Sequence, residues 1–225
     1  MKELFDNIVW HALSGPQASF AAGTERARRY ARGFSPIAGF ADAARPDFAA
    51  LRPFCEAGEQ LYVDGWAGAA PAGWRVESEA TMFKMLWQAA MPAADAAPEA
   101  APLGPAQAGP ALELAGLTRP GPFGPRTIEL GEYFGVFDGE RLLAMAGERM
   151  HAGRLREISG VCTHPEVQGR GHARRLIQQL IRRQMQRGET PFLHVMRHNA
   201  GAVRLYERMG FSIVKESIVR VISAG

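Results

Sequence analysis

The chain has 225 residues, 47% of them hydrophobic and 22% charged, which is the balance of a globular protein long enough to bury a real core. No run of about eighteen apolar residues exists to span a bilayer, and Lys2, Glu3 and Asp6 interrupt the start where a secretory signal needs apolar continuity. Two cysteines, Cys55 and Cys162, exclude a small disulfide-stapled fold, so a reducing cytoplasm is the expected compartment.

The formal charge is only +3, but residues 151–225 hold thirteen Lys or Arg against five Glu and no Asp. Such a segment attracts a polyanion, nucleic acid and a phosphorylated cofactor alike.

In chain order, Phe5, Ile8, Val9 and Leu13 recur at helical spacing and predict a short N-terminal helix. Residues 35–41 and 60–64 read as strands, with a helix around 47–57 between them, and 74–87 reads as one strand or two. This is the pattern of a small α/β half-domain over residues 1–90. Residues 91–98, within an Ala/Pro-rich stretch without periodicity, are expected to be a linker. Residues 101–103 suit a short strand and 109–117 a helix. Residues 119–126, with three prolines and two glycines, must be a loop.

From Tyr133 the pattern sharpens. Residues 133–137 and 141–150 form a hairpin about Asp138-Gly139. Residues 156–163 are a third strand, and Gly160 within it marks a bulge or a close backbone approach. After a loop, residues 173–186 carry one apolar stripe: Ala173, Leu176, Ile177, Leu180, Ile181 and Met185. Residues 192–196 are a short buried strand. Asn199 caps a second helix, whose Ala202, Val203, Tyr206 and Met209 share a face and which Gly210 ends. Residues 211–214 and 217–222 are expected to close the sheet as a hairpin.

The chemistry concentrates in VCTHPEVQGRGHARR, residues 161–175, where a strand passes through a glycine loop into a helix. A helix N-terminus offers unpaired N–H groups and partial positive charge to an anion. Gly169 and Gly171 let a diphosphate approach the backbone, and Arg170, Arg174 and Arg175 add charge. A P-loop is excluded because no Gly-Lys-Ser/Thr follows. The dinucleotide fingerprint is only half present, Arg174 standing where its third glycine should be.

Two spaced motifs carry a resemblance. Gln168-x-x-Gly171-x-Ala173 and Asn199-x-x-Ala202-x-x-Leu205-Tyr206-x-x-x-Gly210-Phe211 resemble the paired signatures of the GNAT superfamily of acyl-CoA-dependent N-acyltransferases, over residues 97–225. Residues 117–127 and 190–195 are also similar to a bacterial branch whose N-terminal half is a reduced GNAT-like partner. The resemblance implies an α/β (α+β) fold with a mixed central sheet splayed at a β-bulge and flanked by helices. It implies acetyl-CoA as co-substrate, no metal, and a primary amine as acceptor.

Residue by residue, the resemblance implies that backbone groups of Val161, Cys162 and Thr163 bond the pantetheine arm. Gln168, Gly169, Arg170, Gly171, His172 and Ala173 surround the pyrophosphate, and Asn199 contacts the arm. His172 departs from the family's frequent aromatic or aliphatic residue there, but only its backbone N–H is needed. Glu157 stands where histone-type members keep a catalytic glutamate, and partial burial is expected to raise its pKa into a useful range; Glu148 is the rival base. A backbone N–H beside Cys162 would stabilise the oxyanion, and Tyr206 would protonate the leaving thiolate.

Other constellations weigh less. Cys162 and His164 are two apart in an extended segment, so Cys162 reads as a small buried residue rather than a nucleophile. His194-x-x-x-His198 has metal-like spacing, but a strand running into a loop does not align such a pair and no third ligand is evident. The arginines after Gly171 read mainly as a solvated helix face. The leading function is therefore acetyl transfer to an amine. The alternatives are an acyl-CoA-binding regulatory module without turnover and, ranked last, nucleic-acid binding. Acceptor, acyl length and oligomeric state, a homodimer included, stay open.

Overall fold

A computed structural model describes residues 2–225. Helices α1 (Lys2–Asp6) and α2 (Ile8–Ser14) lead into strands β1 (Ala21–Gly23), β2 (Ala27–Tyr30) and β3 (Ile37–Phe40). Helix α3 (Phe48–Leu51) follows, then β4 (Gln60–Asp64) and the long β5 (Trp74–Trp87). After the Ala/Pro segment come β6 (Ala101–Pro102), α4 (Ala108–Thr118), β7 (Tyr133–Asp138), β8 (Arg141–Ala152) and β9 (Leu155–Thr163). The chain ends with α5 (His172–Gln186), β10 (Thr190–Met196), α6 (Ala200–Met209) and β11 (Phe211–Ala224).

Among the described residues the strands join in one mixed sheet of eleven, ordered β1-β2-β3-β4-β11-β5-β10-β9-β8-β7-β6. β5, from the N-terminal half, lies between β10 and β11, and β11 in turn pairs with β4. Each half of the chain thus places a strand inside the run contributed by the other. The segment between them is held against α5, where Arg182 donates to the carbonyls of Pro92 and Ala93 and Arg175 to that of Ala96.

Three expectations need correction. The chain after Gly210 is one strand, not a hairpin: a register shift between Ile213 and Lys215 leaves Val214 as a bulge, and the ladder with β5 continues through Lys215 and Glu216. Strands β1 and β2 were not foreseen, because Ala, Arg and Gly rank low in strand preference and tertiary pairing decides the matter. The helix around 47–57 is shorter, a single turn capped by Asp47, whose Oδ1 accepts from Ala50 N, followed by a 3-10 turn over Arg52–Phe54.

The apolar stripe of α5 packs as read: Leu176, Ile177, Leu180 and Ile181 are fully buried against Ile158, Val195 and Phe211. Its opposite face is not simply solvated. Arg183 and Arg187 both pair with Glu132, and Arg187 also reaches the buried Glu148. Charge-assisted bonds at low dielectric hold such a pair rigid.

Tyr133 and Gly147 are direct cross-strand partners on β7 and β8, and the tyrosine ring covers the glycine so closely that a methyl group there would overlap it. Gly147→Ala is therefore expected to destabilise the fold by about 1–3 kcal/mol through overpacking. Urea unfolding, read as a lower midpoint at unchanged slope, checks this.

Candidate active site

The site begins where two parallel strands part. β10 pairs with β9 only over Thr190–Phe192 against Leu155–Glu157. Beyond Glu157 and Phe192 that ladder stops. On its other side β9 carries a bulge: Met145 faces Cys162 but Gly147 already faces Ser159, so Gly160 and Val161 together oppose Ala146. Gly160 has φ +60°, a conformation that glycine reaches without a Cβ penalty. The edge of the Tyr133 ring comes to 2.9 Å of where a Cβ would stand, so the same glycine also allows close packing.

A cavity of about 460 Å³ opens at this parting. Ser159, Gly160 and Val161 of β9, Val195 and Met196 of β10, and Asn199 and Tyr206 at α6 form one part of its wall. The loop 118–122, Arg149, His194 and His198, together with Tyr62 and Asp64 of β4, line it as well.

At the head of α5, Gly169 (φ +78°) and Gly171 (φ +84°) take left-handed conformations, and a Cβ added to either would meet nothing within 4 Å. Gly171 is the N-cap and supplies no side-chain cap. The first N–H groups of a fifteen-residue helix therefore have no side-chain cap, and Gln168, Gly169 and Arg170 are exposed beside them. This cradle fits a diphosphate by the helix-terminus argument. Arg175, counted among the phosphate-side charges, is instead committed to Glu99 at 2.6 Å and to the Ala96 carbonyl.

Asn199 caps α6 by accepting from Ala202 N at 3.2 Å. Burial pushes the Tyr206 hydroxyl up to about 12, so it keeps its proton at neutral pH and can donate it. Cys162 is buried, and burial raises its thiol to about 12, which suits the reading of it as an inert strand residue.

Glu157 departs from expectation. It is fully buried, and its two oxygens accept from Arg149 Nη2 at 2.6 Å, Arg149 Nε at 3.0 Å and Met150 N at 3.2 Å. His194 Nδ1 lies 2.7 Å from Oε1. Burial alone would raise its pKa, but Arg149 and His194 outweigh it and hold the carboxyl at about 2, the opposite of the predicted direction. A carboxylate so placed is a weak proton acceptor.

The rival Glu148 is likewise engaged. It accepts from Gln184 Nε2 at 3.1 Å and from Arg187 Nη2, and it forms no part of the cavity wall. Sequence reasoning missed Arg149, His194 and Asp64 as wall residues. The available signal was polar side chains inside otherwise apolar strands, which does not say where their partners lie. His194 and His198 do share the wall. Among the described residues no group of three or more His, Cys, Asp or Glu is placed to hold a metal ion.

A mixed sheet whose parallel strands β9 and β10 part beside the glycine-capped head of α5 is the architecture of the acetyltransferase fold that the sequence resemblance implies. The family model for FR47-like proteins matches residues 133–221. Over almost its whole length the chain is similar to a solved structure from Novosphingobium aromaticivorans assigned to the GNAT family of acetyltransferases. The two are 35% identical, the match covers 98% of each chain, and the TM-score is 0.90. The chain belongs to the GNAT family.

Two further solved structures share the fold at lower identity. A GCN5-related N-acetyltransferase-like protein from Streptococcus suis is 16% identical over 97% of this chain and 92% of its own, with TM-score 0.60. A GCN5-related N-acetyltransferase from Kribbella flavida is 16% identical over 97% and 96%, with TM-score 0.57. No curated protein matches the chain.

The Glu157 cluster generates a stability prediction. A carboxyl whose pKa falls from 4.5 unfolded to about 2 folded contributes stability that is complete above the unfolded value and lost as pH drops toward the folded one. Acid unfolding between about pH 4.5 and 2 is expected to be shallower in Glu157→Gln. At neutral pH that variant should be less stable by on the order of 3 kcal/mol, because Arg149 loses its buried counter-charge. Denaturant titrations at several pH values check both.

Proposed function

We propose that this protein moves an acetyl group from acetyl-CoA to the primary amine of a small molecule or peptide, by direct attack of the amine. The observation that carries the reading is the coincidence of three features: the parted β9 and β10, the open glycine cap of α5, and a cavity reaching Tyr206. When bound, acetyl-CoA supplies a thioester whose C–S bond is exchanged for a C–N bond, with a thiol leaving.

The chain's own residues do the rest. Gln168, Gly169, Arg170, Gly171, His172 and Ala173 present N–H groups and charge to the diphosphate. Backbone groups of Val161, Cys162 and Thr163, left without a neighbour on β10, bond the amides of the pantetheine arm, and Asn199 adds a side-chain contact. An N–H beside Cys162 supports the carbonyl oxygen as charge develops there. Tyr206, protonated at neutral pH, delivers a proton to the leaving sulfur. Holding amine and thioester together in one cavity supplies much of the acceleration.

A second reading, an acyl-CoA-binding module without turnover, draws support from one observation: Glu157 is locked in ion pairs and ill suited to be the base. Thiol release in the presence of varied primary amines separates the two.

Acetyl-CoA is expected to bind with measurable heat at tens of micromolar in titration calorimetry, and the absence of any heat would overturn both readings. Gly171→Val, which forces a β-branched residue to φ +84°, should weaken that binding at least several-fold while the far-ultraviolet spectrum stays unchanged. Tyr206→Phe should lower turnover by about a hundredfold or more with cofactor affinity nearly intact, as removal of a general acid does. Equal turnover would remove Tyr206 from that role.

A further inference from the structure

One residue that lines the cavity, His194, carries a buried ring nitrogen with no hydrogen-bond partner. The His194 side chain is 7% exposed, and its Nδ1 is taken up by Glu157 Oε1 at 2.7 Å. Glu157 is ionised and fixed from its other side by both Arg149 contacts. A carboxylate only accepts, so Nδ1 carries the hydrogen and donates it, and Nε2 is the one ring nitrogen that can hold a lone pair. That Nε2 is buried and meets no hydrogen-bond partner. Leaving such an atom unpaired costs about 1–3 kcal/mol, and its persistence points to a ligand.

The position agrees with the chemistry. β10 leaves β9 after Phe192, two residues before His194, so the imidazole stands where the strands part. Tyr206 and Asn199 belong to the same wall. Glu157 of β9 bonds the ring and Lys84 of β5 is the direct cross-strand partner of His194, while Arg149 of β8, Asp64 of β4, Tyr206 of α6 and His198 are the other charged and titratable groups facing it across the cavity lining. Arg149 pairs with Glu157, and Lys84 Nζ lies 2.5 Å from Asp64 Oδ2, so these ions offset one another in pairs.

We propose that His194 Nε2 is the base that deprotonates the acceptor ammonium, and that Glu157 is a positioning residue acting through Nδ1. The proposal rests on the acetyl-transfer reading. In the step, one N–H bond of the ammonium breaks and an Nε2–H bond forms, while the electron pair stays on the amine nitrogen and makes it nucleophilic. Glu157 balances the imidazolium until its proton passes to solvent. The carboxylate thereby keeps a role without being the base.

Nitrogen-15 spectra of the ring-labelled protein test this without turnover. His194 should show a protonated Nδ1 and a bare Nε2 at neutral pH, and Nε2 should gain a proton on acidification. A ring protonated only at Nε2, or doubly protonated from pH 5 to 9, has no lone pair to offer and would overturn the proposal. His194→Gln should lower thiol release with primary amines about a hundredfold and remove the ascending limb of its pH profile, with acetyl-CoA affinity unchanged. Glu157→Gln should lower it about tenfold and mix the tautomers. An unchanged pH profile in a folded His194→Gln would overturn His194 as base alone. Failure of the wild type to release thiol with any amine, despite binding acetyl-CoA, would overturn the transfer reading and this base with it.

Discussion

Backbone amides buried away from water must find partners, and the structure leaves two facing rows of them unpaired where β10 turns away from β9. β10 remains in the sheet because its other edge is bonded to β5 from Phe192 through Met196. β9 remains because β8 holds it across the bulge at Gly160 and Val161. Each strand is therefore secured from behind, and the gap between them stays open without loss of the sheet. The cavity, the placement of Tyr206 and the exposure of the α5 cap all follow from that parting.

Charge in this protein is largely consumed internally. The C-terminal third is rich in arginine, yet Arg156, Arg175, Arg183 and Arg187 are each ion-paired, and Arg182 is tied to backbone carbonyls of the segment before β6. The positive field available to a polyanion is smaller than composition suggests, and what remains near the head of α5 is Arg170 and Arg174. Buried pairs such as Arg149–Glu157 contribute little net stability in general, because desolvation offsets their attraction. Their use here is orientation: a carboxylate gripped from two sides holds the imidazole between it and the cavity.

The N-terminal residues are part of this machinery. Through the exchange of β5 and β11, residues such as Val9, Ile37, Tyr62 and Asp64 come to line the same cavity as Asn199 and Tyr206. A weakly patterned segment of sequence thus builds the wall against which an acceptor would lie.

The local signals were legible in the chain order. Glycines at 169 and 171, the 3.6-residue apolar stripe of α5, Asn199 as a cap and Gly160 as a break in a strand each depend on neighbours within a few residues, and each stands in the structure where it was read. Tertiary structure decided what depends on distant partners. β1 and β2 are strands because they pair with each other and β2 pairs with β3, and the last strand runs unbroken because β5 lies along it. Glu157 is held at about 2 rather than raised, because Arg149 and His194, eight and thirty-seven residues away, converge on it. Secondary structure follows from short-range sterics and periodicity, whereas the proton affinity of a buried group is set by whichever charges the fold brings within a few ångströms, and no linear spacing encodes that.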